Sequence, residues 1–138
     1  MDDYRPVSIA RRSETKAFSD QDVKLFAELS TDKNLIHLDD AYSATTIFKQ
    51  RIVHGSLVSS LISAVLGNKM PGNGSIYLSQ TVNFKRPVFL NDEVTCVVEI
   101  MEILTEKSIY KLSTNCYNSN NEMVIEGNAV IKWVSPTN

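Results

Sequence analysis

Two short stretches hold the residues whose types and spacing could do chemistry. In STDKNLIHLDD, residues 30–40, Asp32 stands five positions before His37. In RIVHGSL, residues 51–57, His54 and Gly55 precede a long uncharged run. These are the only 2 histidines of the 138 residues. A carboxylate and an imidazole held side by side form an acid–base pair that can take a proton from water and return it. A glycine opening a helix leaves unpaired, partly positive N–H groups open to close approach, the recipe for an oxyanion hole. Plainer readings stand beside both. Asp32 is also a turn former or helix cap, His37 a satisfied polar side chain, and VHG a tight turn into a core helix. On these residues alone both readings are open.

The elements that would position them come from periodicity. Residues 1–12 read as a loose arm and SETKAFS as a short strand. FSDQDVKLFAELST reads as a helix, with Ser19 as N-cap, Asp20 and Asp22 in the first turn, and Val23, Phe26, Ala27 and Leu29 as its apolar face. Residues 30–53 show no sustained period, which marks a functional loop or one with short helical turns of its own, such as AYSATTIF. GSLVSSLISAVLGN, residues 55–68, has apolar residues at helical spacing and small ones opposite, so it reads as a helix buried nearly all round. From residue 75 the period changes to two, and four strand-like segments follow, with Pro87 closing the first and TEK and NSNN as turns. One buried helix and an antiparallel meander fit an α+β fold in which a curved sheet wraps the helix. An exposed sheet face or edge makes a homodimer the expectation.

Composition narrows the class. The length suits one domain, residues 1–138, and 43% hydrophobic with 22% charged residues is globular. A net charge of -2 carries no footprint for nucleic acid. No apolar run reaches the roughly 18 residues that span a bilayer. MDDYRPVSIARRSE lacks the apolar core of a leader, and Cys96 and Cys116 form no CxxC, so a cytoplasmic protein with reduced thiols is expected. Nucleotide-binding glycine patterns and metal-ligand spacings are absent from the sequence. Lys85 and Arg86 read as a solvated strand end.

The stretch from Ser30 to Gly67, with its D-x-N-x-x-H loop and V-H-G, closely resembles the signature of the MaoC-like, (R)-specific enoyl-CoA hydratases. The resemblance continues through GSIYLSQTVNFKRPVFLNDEV and covers about residues 15–134. It implies a hotdog fold, with Asp32 and His37 as a catalytic dyad and the Gly55 N–H polarising the thioester carbonyl. Asn34 matches the family's asparagine and is assigned to substrate binding as an orienting hydrogen bonder. Ser63, with Ser59 and Ser60, is assigned to the border of an acyl cavity, although close helix packing explains these serines equally well. His54 is read as structural. Two positions depart from the family: Leu35 stands for a proline, and Thr31 for a common glycine.

The implied reaction adds water reversibly across a trans-2-enoyl-CoA thioester to give the (R)-3-hydroxyacyl product, with no metal and no cofactor. Asp32 would need desolvation to act as a base at neutral pH. Alternatives are a dehydratase acting on acyl-carrier-protein thioesters and a non-catalytic acyl-thioester binding protein. A thioesterase is disfavoured, because residues 55–68 offer no carboxylate.

Overall fold

The structure is a computed structural model that describes residues 10–137, so most of the expected arm lies outside the described residues. Strand β1, Arg11–Ala17, opens the fold and takes in Arg11 and Arg12 from that arm. Helix α1, Asp20–Ser30, begins with the capping box expected of it: Ser19 Oγ accepts from the Asp22 N–H, and the Asp22 carboxylate accepts from the Ser19 N–H. Val23 and Ala27 are buried, but Leu29 is 84% exposed. The apolar face of α1 is therefore narrower than its sequence implies.

The non-periodic segment holds two short helices, α2, Leu35–Leu38, and α3, Asp40–Ala44. Helix α4, Gly55–Asn68, has the expected limits, and Val58, Leu61, Ile62, Val65 and Leu66 are buried. It is not buried all round, because Ser56, Ser60 and Ser63 face outward. Strands β2, Ser75–Phe84, β3, Glu93–Leu104, β4, Ile109–Asn118, and β5, Met123–Trp133, complete the chain.

The sheet runs β1-β3-β4-β5-β2, antiparallel throughout. Only β3, β4 and β5 form the meander; β2 crosses over to pair with β5 instead of its sequence neighbour β3. The alternating inner residues of β3, Val94, Cys96, Val98 and Ile100, join Leu112, Ile125, Ala129 and Ile131 in one core with α4. Cys96 and Cys116 sit opposite each other in that core, both free and buried. Strand β2 stays largely exposed and breaks its alternation at a bulge between Tyr77 and Ser79. The sheet thus holds α4 with its N-terminus facing the loop that carries Asp32 and His37.

Candidate active site

Local backbone chemistry sets the loop. Helix α1 ends at Thr31 in the left-handed conformation, φ 66. Glycine adopts this geometry freely, whereas a threonine bears a cost of roughly 1–2 kcal/mol. That accounts physically for the family's glycine at this position. Asp32 Oδ1 then accepts from the Asn34 N–H at 3.2 Å, and Asn34 Oδ1 accepts from the Ile36 N–H at 3.1 Å. Asn34 is the N-cap of α2, and its oxygen is used inside the chain. Leu35 is the first residue of α2, where proline would fit because its missing N–H is unneeded. Both departures from the family thus fall on loop stiffness.

These turns bring His37 inward, where it is buried. Its Nδ1 lies 2.8 Å from the Ile52 carbonyl oxygen, which can only accept, so Nδ1 carries the proton. Nε2 is therefore the bare, basic nitrogen. Arg51 fixes the same residue from behind, donating from Nε to the His37 carbonyl at 2.7 Å and pairing through Nη1 with Asp20 of α1 at 2.8 Å. Desolvation holds the His37 imidazole below its ordinary range. The Ile52 carbonyl opposes that shift, His54 and Arg51 add to it, and the Asp32 carboxylate opposes it. His37 is accordingly a neutral base around pH 7.

This shift has a consequence for stability. The folded chain disfavours the protonated ring relative to an unfolded imidazole near 6.5, so the unfolded state binds more protons in acid. The contribution is complete above that value and is lost as pH falls below it. Thermal melts from about pH 7 to about pH 5 should show a shallower loss for His37→Gln than for the wild type. Equal slopes would remove this role from His37.

Asp32, His37 and His54 each place one ligand-type atom within 4.8 Å of the others. The His37 and His54 rings are stacked, with centroids 3.9 Å apart and planes at 26°. Lone pairs in nearly parallel planes do not converge on one point, so this trio is a poor cage for an ion such as zinc. It suits proton transfer better, with a carboxylate oxygen within 4.8 Å of an imidazole nitrogen. Asp32 is exposed in the single chain, so the loop by itself does not supply the desolvation that a base at neutral pH needs.

Gly55 follows directly, as the first residue of α4, and its helix start has no side-chain cap. It lines a cleft of about 500 Å³ together with Phe48, Val88, Ile125 and Phe84. A Cβ at Gly55 would stand 2.8 Å from the Phe84 ring, so glycine is what allows helix and ring to approach here. Ser63 is not among the residues lining this cleft; it is exposed two turns along α4. Lys85 and Arg86 edge the cleft but are paired, with Glu126 at 3.6 Å and Glu122 at 3.7 Å. Sequence periodicity places Phe84 only as an alternating apolar strand residue and carries no sign of Phe48 or Arg51, because their roles arise from contacts across the fold.

A MaoC like domain profile matches residues 5–121. The chain belongs to the MaoC-like family. It is 46% identical over 118 residues to an (R)-specific enoyl-CoA hydratase of Aeromonas caviae, covering 86% of this chain and 88% of that one. A mitochondrial 3-hydroxyacyl-[acyl-carrier-protein] dehydratase of Arabidopsis thaliana is 38% identical, over 81% of this chain and 68% of its own length. Among solved structures, the (R)-hydratase from A. caviae involved in PHA biosynthesis superposes with a TM-score of 0.88 at 43% identity, covering 91% of this chain and 95% of that one. This MaoC-like chain therefore has the hotdog fold, and its family includes hydro-lyases.

Proposed function

We propose that the protein is an (R)-specific enoyl-CoA hydratase, with Asp32 and His37 as its acid–base dyad and Gly55 as its oxyanion donor. The observation that carries this reading is the bare Nε2 of His37, left by the Nδ1–Ile52 hydrogen bond, in one cluster with Asp32 and against the residue that precedes Gly55. Water held between Asp32 and His37 gives up a proton as its oxygen attacks C3 of the enoyl thioester. Charge moves to the thioester oxygen, facing the Gly55 N–H, and C2 takes a proton to complete the addition. The apolar cleft beside Gly55 has room for the thioester arm. The test is hydration of crotonyl-CoA with chiral analysis of the product: (R)-3-hydroxybutyryl-CoA supports the reading, and the (S) product or none overturns it.

The relationship to the plant dehydratase favours one second reading, dehydration of acyl-carrier-protein thioesters. Matched CoA and carrier-protein substrates separate the two by kcat/KM. A cytoplasmic setting is supported by the cysteine usage, two buried residues with no CxxC motif.

A homodimer completes the proposal. Strand β2 is an edge strand with Ile76 51%, Leu78 52% and Phe84 57% exposed, and a long apolar edge of this kind is a template for pairing with a second copy. A second copy would also give Asp32 the cover that one chain lacks. Leu78→Lys should shift the protein from dimer to monomer in sedimentation and lower hydration with it. An unchanged dimer would remove β2 from the interface.

A further inference from the structure

We propose that His54 is a positioning residue for the hydration step, clamping the backbone of Asp32 and seating the ring of His37 so that both reacting groups move as one body with α4. This rests on the hydratase reading above. His54 is 2% exposed and stands at the N-cap of α4, yet its side chain makes no capping bond. Helix starts favour serine, threonine, aspartate or asparagine at that position, so capping does not explain a histidine.

Its contacts offer another explanation. Nε2 lies 3.0 Å from the Asp32 carbonyl oxygen, an obligate acceptor, and so bears the ring proton. Nδ1 is then a bare nitrogen, buried with no hydrogen-bond partner among the described residues. Burying an unsatisfied polar atom is unfavourable, and a phenylalanine would fill similar space without it. The imidazole brings two things in return: the N–H to Asp32 and a flat face stacked on His37. Phe26 of α1 meets the same ring edge-on, with centroids 4.8 Å apart. One side chain therefore joins α1, the Asp32 loop, His37 and the start of α4.

The arrangement also divides labour between the two imidazoles. The two rings leave different nitrogens bare, Nε2 on His37 and Nδ1 on His54. The charged groups facing the pair are the Asp32 carboxylate and the Arg51 guanidinium, whose far side meets Asp20 at 2.8 Å and Asp40 at 4.0 Å.

Two variants separate the clamp from the seat. His54→Phe keeps an aromatic ring against His37 and Phe26 but has no N–H for Asp32. Its kcat on crotonyl-CoA should fall by about 10²-fold, the scale of a small misplacement, while KM changes by less than about 3-fold. The acid limb of its kcat/KM–pH profile should move less than that of His54→Gln, because the ring still keeps water from His37. His54→Gln can still donate to Asp32 but has no ring. It should keep more of kcat, while its acid limb moves to higher pH as water and the lost neighbour let the His37 value rise. Wild-type kcat and pH profile in His54→Phe would overturn the proposal, leaving His54 as core packing. An unmoved acid limb in His54→Gln, with equal loss in both variants, would overturn it too. Failure of the hydratase reading looks different: the wild-type protein would itself form no (R)-3-hydroxybutyryl-CoA.

Discussion

Replacing Asp32 by Asn, or His37 by Gln, should lower crotonyl-CoA hydration by about 10²–10⁴-fold, the usual contribution of a placed acid–base group. Each exchange keeps size and removes one function. In Asp32→Asn the side-chain amide oxygen can still accept from the Asn34 N–H as Asp32 Oδ1 does, so the loop turn survives. In His37→Gln no base remains where the bare Nε2 now stands. The double variant should lose little more than the worse single one, because two groups serving one water act as a unit. Steady-state kinetics alongside circular dichroism check this. Near-normal turnover in either folded single variant would remove the dyad from the mechanism.

The second large effect concerns one N–H group. Gly55→Pro should cost about 10²–10³-fold more in kcat than Gly55→Ala, the worth of one oxyanion donor. The backbone suits proline: residue 55 is the first helical position, and His54 has φ -54 and ψ 132, the extended geometry preferred before proline. Both variants push a carbon toward the Phe84 ring, so displacement of Phe84 is common to the two. Only proline deletes the donor, and the difference between the variants isolates it. Equal kcat in Gly55→Ala and Gly55→Pro would assign the oxyanion to another group.

Much of this is legible in the chain because it is encoded locally. The capping box at Ser19, the limits of α4 and the period-two strands each follow from neighbouring residues. The limits of α2 escape that reading, because four residues carry no measurable period. The exposure of Leu29 and the crossover of β2 depend on what packs opposite, which periodicity does not record. His54 shows the same limit within the site: its contacts with Asp32 and His37 span 22 and 17 positions of sequence, beyond the reach of a local reading.

The pairing of β2 with β5 also fixes when this site can exist during folding. Phe84 and Ile125, both in the wall of the cleft, are register partners across that pairing. A nascent chain that has reached β4 already contains Asp32, His37, His54 and Gly55, yet its cleft still lacks Val124 and Ile125. The last strand made closes both the sheet and the pocket, a contact of long sequence separation that topology makes slow. Catalytic competence should thus appear in a single late step, together with the final burial of Ile125 and Ile131.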